Sequence, residues 1–262
     1  MVSDPSPSDE PPHGLERRQR RRGIYLLPNL FTTATLFAGF YGILAAMDGR
    51  FEPAALAVFA AMLADGIDGR VARLTNTQTD FGAEYDSLAD LIAFGLAPAL
   101  IMYLWALQPL GKLGWLAAFV YAAATALRLA RFNTQVGVAD KRYFQGLPSP
   151  SAAAIMAGSV WTATDLGIDG HVLSVAALVV TMSVGLLMVS NVRYSSFKEV
   201  DFRGKVPFIA LVALTLALAV ILLHPPSVLL SLFFVYLLSG PVTTWRAMRK
   251  LRGAAADREK TS

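Results

Sequence analysis

The sequence predicts an all-α fold: a polytopic transmembrane helix bundle of about eight spans, with the N- and C-termini in the cytoplasm. Three observations carry the prediction. The chain is 55% hydrophobic and 16% charged, with a mean hydropathy of +0.49, against about 45–50% and about 25% in soluble domains. Its apolar residues gather into recurrent runs near the roughly 20 residues that a spanning helix needs. Its Lys and Arg fall on one side of the alternating connections.

Taken in order, residues 1–22 form a polar tail ending in Glu16-Arg17-Arg18-Gln19-Arg20-Arg21-Arg22. The first dozen residues are too polar to bury a core and are expected to be disordered. The Arg cluster beside an apolar run suits anionic lipid headgroups better than nucleic acid. Spans are expected near 26–47, 52–73, 84–108, 113–132, 149–165, 171–191, 205–223 and 227–246. Breakers separate them at Asp48-Gly49-Arg50, Gly111-Lys112, Gly167 to Gly170 and Pro225-Pro226. Residues 23–250 then form one membrane domain, and 251–262 a second cytoplasmic tail. With the N-terminus inside, all of the 23 Lys and Arg except Arg50 and Lys112 lie on the cytoplasmic face. An odd number of spans would scatter the later charges onto the wrong face.

The chain has no Cys and three widely spaced His, at positions 13, 171 and 224. Disulfides, thiolate nucleophiles and Cys-based metal sites are excluded. A bound metal would be a hard cation held by carboxylates.

Four carboxylates stand where a membrane protein should avoid them. Asp65 and Asp68 lie near the end of the second span, Asp86 and Asp90 near the start of the third. Spacings of three and four put each pair on one helix face. The short polar loop between the helices makes them antiparallel neighbours, so all four converge near the cytoplasmic interface. Two carboxylates about 4 Å apart repel by about 4 kcal/mol at an effective dielectric near 20. Divalent cations reverse that sign, and four oxygen donors suit two Mg²⁺ or Mn²⁺ ions. Helix caps or partners for Arg70 and Arg73 would explain one or two of these acids, not the recurrence at i+3 and i+4. A divalent-cation transporter would line the bilayer with acids, whereas these cluster at one interface. Gly69 and Gly82 leave room for a ligand to approach the helix backbone, and Arg73 ends the second helix where it can meet a phosphate.

The segment DGIDGRVARLTNTQTDFGAEYDSLAD, Asp65 to Asp90, has the pattern D-x2-D-G-x2-A-R-x8-G-x3-D-x3-D. It resembles the signature of the CDP-alcohol phosphatidyltransferase family at every fixed position. The resemblance implies that Asp65, Asp68, Asp86 and Asp90 bind metal, and that Asp90 also acts as general base. It implies that Asn29, Thr32, Gly69, Ala72, Arg73 and Gly82 line a pocket for CDP and its pyrophosphate. A homodimer in the cytoplasmic membrane of a bacterium or archaeon, with its site facing the cytoplasm, is implied as well.

Four further segments resemble the membrane-embedded phosphatidylserine synthases of that family: Leu27 to Thr32, Arg128 to Asn133, Phe144 to Pro150 and Ser190 to Lys198. The expected partners are therefore CDP-diacylglycerol, L-serine and membrane lipids, and not nucleic acid. Serine carries a carboxylate, so its pocket needs a cation. Arg128, Arg131, Arg193 and Lys198 are candidates, with Asn133 and Tyr194 as neutral hydrogen-bond partners. Positive-inside topology accounts for any one of these basic residues equally well. Inositol phosphate or glycerol phosphate as acceptor is the alternative within the same chemistry.

Overall fold

In the computed structural model, residues 14–75, 79–134, 143–195 and 208–261 are described, and nearly all are helical. Eight long helices follow one another: α1 (Gly14–Met47), α2 (Phe51–Thr75), α3 (Asp80–Leu110), α4 (Lys112–Thr134), α5 (Ser149–Asp165), α6 (Ser174–Val189), α7 (Phe208–Leu223) and α8 (Pro225–Thr261). Among the described residues, five segments are long and apolar enough to cross a membrane: Asn29–Met47 of α1, α3, α4, Gly170–Val189, which adds a 3₁₀ turn to α6, and Pro225–Trp245 of α8. The other three helices are less clear-cut. α2 carries Glu52, Asp65, Asp68 and Arg70. α5 has 17 residues and α7 has 16, about 25 Å of helix each at 1.5 Å per residue.

The termini of the bundle differ from the expected tails. Helix α1 already begins at Gly14, within the segment read as a tail, and α8 continues to Thr261. A second difference is a small antiparallel pairing of β1 (Tyr143–Gln145) with β2 (Arg193–Ser195), in a fold expected to be all helix. The cause is backbone hydrogen bonding. Both segments lie just beyond helix ends, where their N–H and C=O groups have no ladder of their own.

Side-chain size sets how closely the helices approach. In a bilayer, helices associate through close packing rather than hydrophobic burial, which favours small residues. The buried core is rich in alanine, including Ala45, Ala54, Ala55, Ala61, Ala93 and Ala97. Helix α1 packs along α2 and α3, α4 along α6, and α5 sits against α2 and α8. Gly39 permits the α1–α3 contact: a Cβ there would lie 2.7 Å from the Cα of Ala93, one turn below Asp90. Helix α5 is buried along most of its length, from Ser149 to Ala163.

Helix α3 is not regular. It widens into π-helical turns at Leu91–Leu96 and Tyr103–Leu107. Pro98 lacks an N–H and so leaves the carbonyl of Phe94 without its usual partner. The Tyr121 hydroxyl of α4 donates to that oxygen at 3.0 Å. The same device recurs at Pro241 inside α8. There the Tyr194 hydroxyl of β2 donates to the carbonyl of Leu237 at 3.1 Å. Each tyrosine pins a neighbouring element to a helix at its proline.

Arg50, one of the two basic residues outside the main set, is paired locally. It donates to Asp48 at 3.1 Å and lies 6.0 Å from the Tyr41 ring centroid.

Candidate active site

Helices α2 and α3 both pack on α1, α3 parallel to it (Thr33 meets Tyr85 and Gly39 meets Ala93) and α2 antiparallel to α3, and the adjoining ends of α2 and α3 carry the acids. Thr79 starts α3 with an extended backbone, and its hydroxyl accepts from the Gly82 N–H at 3.0 Å. That cap sets the start of the helix, and a spacing of four residues, close to one 3.6-residue turn, brings Asp86 and Asp90 to one face. Carboxylate oxygens of Asp65, Asp86 and Asp90 all lie within 4.8 Å of one another. Asp68 stands beside this trio, within electrostatic reach of Asp65 and Asp86. It is buried, and its Oδ2 accepts a hydrogen bond from the buried Thr32 hydroxyl of α1.

These residues fit a hard divalent cation. Oxygen donors converge from two helices, and Asp90 Oδ1 is sealed from solvent with no hydrogen-bond partner among the described residues. A buried carboxylate oxygen without a partner carries its full desolvation cost, which a cation would offset. Neither described histidine competes. His224 pairs with Asp165 at 3.2 Å, at the opposite end of α5, and His171 lies in the 3₁₀ turn Gly170–Leu173.

The nucleotide candidates are brought to the same end of the bundle only in part. A Cβ on Gly82 would sit 3.1 Å from the Thr79 hydroxyl and 3.7 Å from Asn29 Oδ1, so α1 and α3 close tightly here. Gly69 is exposed on α2. The side chains of Ala72 and Arg73 lie outside the described residues, although their backbone belongs to α2.

The acceptor candidates separate by their partners. Arg128 Nη1 donates to Ser149 Oγ at 2.9 Å, linking α4 to the start of α5. Arg131 Nη2 donates to Gln145 Oε1 at 2.5 Å and to Asn191 Oδ1 at 2.9 Å. Asn133 Nδ2 donates to Ser87 Oγ at 3.0 Å, one residue from Asp86. Arg193 is exposed on β2. Tyr194 is fully buried and its hydroxyl is committed to Leu237. Lys198 lies outside the described residues.

Several residues near the site are not among the candidates named from the sequence. Tyr85 meets Thr33 at 3.0 Å and fastens α3 to α1 beside Asp86. Ser87, Gln145, Ser149 and Asn191 hold candidate side chains in place. Tyr85 and Ser87 carried no signal of their own, whereas Gln145, Ser149 and Asn191 lie in the segments that resemble phosphatidylserine synthases, and the Thr79-x-x-Gly82 cap was visible in principle as a polar residue just ahead of an apolar run. A separate cleft of about 450 Å³ lies between α5, α6 and α8, lined by Ile155, Ser159, Val180, Leu230 and Phe234 among others. Both of its serine hydroxyls turn back onto their own helices, Ser159 to Ile155 and Ser231 to Ser227. Nothing in it suits polar chemistry.

Comparisons with known proteins show the family. The model of the CDP-alcohol phosphatidyltransferase family matches residues 25–189. A CDP-diacylglycerol–serine O-phosphatidyltransferase of Helicobacter pylori is 39% identical over 214 residues, covering 81% of this chain and 90% of the relative. A protein of the same name from Methanocaldococcus jannaschii is 32% identical over 183 residues, covering 70% and 80%. One from Mycobacterium bovis is 38% identical over 151 residues, covering 55% and 52%. With the aspartate pattern intact inside the matched region, the chain belongs to the CDP-alcohol phosphatidyltransferase family.

Proposed function

We propose that this protein transfers the phosphatidyl group of CDP-diacylglycerol to the hydroxyl of L-serine, giving phosphatidylserine and CMP. The observation that carries the reading is the convergence of Asp65, Asp86 and Asp90 within 4.8 Å. It lies inside the family match, and the relatives from Helicobacter pylori and Methanocaldococcus jannaschii are named for the serine reaction.

Asp65, Asp86 and Asp90, with Asp68 beside them, would hold Mg²⁺ or Mn²⁺, two per site by the number of carboxylates. Such ions, when bound, supply Lewis-acid polarisation of the pyrophosphate and screen charge at phosphorus. The protein's own groups do the rest. Thr32 holds Asp68 in orientation from α1. Asn29, Gly69, Ala72, Arg73 and Gly82 frame the CDP moiety. Asp90 accepts the proton of the acceptor hydroxyl. The freed oxygen forms a bond to the β-phosphorus, and the bond from that phosphorus to the oxygen of CMP breaks.

The bundle is placed in the cytoplasmic membrane with all eight helices as spans, both termini and the acids on the cytoplasmic side, and two copies as a homodimer. The sided distribution of Lys and Arg supports the orientation. The local pairing of Arg50 with Asp48 supports it too, since that exception is neutralised.

The deciding experiment measures CMP released from CDP-diacylglycerol with L-serine, glycerol phosphate and inositol phosphate offered in turn. Release with L-serine alone is expected. Release only with a phosphorylated alcohol would replace serine as the acceptor. Metal flux into proteoliposomes with no CMP would replace the enzyme reading altogether.

A further inference from the structure

Serine differs from other alcohols of this chemistry by its carboxylate, and the basic candidates for that carboxylate are not equivalent. Arg131 already spends one guanidinium nitrogen on Gln145 and Asn191, a clamp between α4, β1 and the end of α6. Arg193 works through its backbone. Its N–H donates to the Thr244 hydroxyl at 3.0 Å, and its carbonyl accepts from Thr243 at 3.2 Å, which fastens β2 to α8.

Arg128 differs from both. Its Nε is sealed from solvent and has no hydrogen-bond partner among the described residues, and the same holds for Oδ1 of Asp90. The two side chains lie within electrostatic reach of each other, with Tyr236 of α8 also close to the guanidinium. A guanidinium nitrogen left without a partner in a buried position is costly unless something completes it. Two such orphaned atoms of opposite charge, within electrostatic reach and not hydrogen-bonded to each other, are what a polar ligand with both an acceptor and a donor would complete.

The start of α5 supplies further donors. Arg128 reaches it through Ser149 Oγ at 2.9 Å. Pro148 at the N-cap provides no side-chain cap, and Pro150 has no N–H. The first N–H groups of a helix have no intrahelical partner, and they favour an anion. This helix start is rigidly set. Gly146 has φ +78°, its N–H donates to Val192 O at 2.9 Å, and the Leu147 N–H donates to Leu187 O at 3.0 Å.

We propose that Arg128, with the Ser149 hydroxyl and the N-terminus of α5, holds the carboxylate of the acceptor amino acid beside Asp90. The assignment rests on the amino-acid-acceptor reading above. Serine bears its hydroxyl on the carbon next to the one that carries the carboxylate. Fixing the carboxylate on Arg128 therefore directs the hydroxyl toward Asp90, while Arg131 and Arg193 act as fasteners of the β1–β2 pair.

The test is CMP release by wild type, Arg128→Gln and Arg128→Lys with two acceptors: L-serine, and L-serinamide, which keeps the hydroxyl and amine and has a neutral amide for the carboxylate. Losing a charge-assisted forked contact is expected to raise the serine KM of Arg128→Gln about 10- to 150-fold. The KM for CDP-diacylglycerol should stay within about 2-fold and the preference for serine over serinamide should vanish. Arg128→Lys, which keeps charge and loses the fork, should retain part of that preference. An equal loss with both acceptors, carried by kcat alone, would overturn the proposal and make Arg128 a positioning residue for Asp90. A large rise in the CDP-diacylglycerol KM would overturn it also. If Arg128→Gln does not fold, Ser149→Ala decides: a serine-selective rise in KM supports the site and an unchanged KM refutes it. A wild-type protein that releases CMP only with a phosphorylated alcohol removes the acceptor reading itself, and that result appears before any variant is made.

Discussion

Asp90 combines two demands in one carboxylate. It sits with Asp65 and Asp86 in the acidic trio, and it also offers a buried oxygen with no hydrogen-bond partner among the described residues. That oxygen is open to a cation, and Asp90 is also the carboxylate proposed to take the acceptor's proton. Asp90→Asn is therefore expected to lower turnover by at least the 10²–10⁴-fold typical of a lost general base. Binding of CDP-diacylglycerol should largely survive, as a binding titration on the variant would show. Asp68 has a different dependence. Its orientation comes from Thr32 on another helix. Removing that hydroxyl in Thr32→Val is expected to raise the Mg²⁺ concentration for half-maximal activity by about 10-fold, the low end for loss of a partner that orients a ligand. An unchanged metal dependence would mean that the hydroxyl merely fills space.

At the scale of elements, two prolines and two tyrosines control how the helices meet. Tyr121 satisfies the carbonyl that Pro98 frees in α3, and Tyr194 does so for Pro241 in α8. Tyr121→Phe should strand a buried carbonyl and destabilise the protein by about 1–3 kcal/mol, seen as a lower thermal midpoint in detergent. The same change beside Pro98→Ala should cost less, because alanine restores the N–H; equal costs in both backgrounds would refute the coupling. Tyr194→Phe is expected to loosen β2 from α8 in the same way. Burial pushes the Tyr194 phenol up to about 12 from its usual 10. Since its folded value is raised, the stability it contributes is complete below pH 10 and is lost as pH rises toward 12. Thermal midpoints of wild type and Tyr194→Phe should therefore converge only in strong alkali.

For the whole molecule, the absence of cysteine makes orientation directly measurable. Lys112→Cys, at the first residue of α4, should react with an impermeant thiol reagent added outside intact cells. Arg249→Cys in α8 should react only after the membrane is opened. The reverse pattern would invert the bundle. Excess chelator should abolish CMP release, and Mg²⁺ or Mn²⁺ should restore it; full activity in chelator would remove the metal from the mechanism. Mass measurement in native-like lipid is expected to give a dimer.

The amino-acid sequence by itself determined the class of fold and the convergence of the acids. Long apolar runs and sided charges suffice for that, because the bilayer forbids unpaired backbone and leaves helices as the simplest answer. The spacing of Asp65, Asp68, Asp86 and Asp90 likewise specifies two helix faces, a purely local property of 3.6 residues per turn. Only the tertiary structure decided what depends on contacts between distant segments. It set Asp68 apart beside Thr32, 36 residues away. It committed Tyr194, read in sequence as a neutral hydrogen-bond partner for the acceptor, to a carbonyl freed by proline. It placed Arg131 in a clamp and left Arg128 with an open nitrogen beside Asp90. Arginines on one membrane face look alike in sequence, since topology alone requires them there. What distinguishes them is which partners the fold supplies, and those come from β1, α5 and the end of α6, which no local pattern connects.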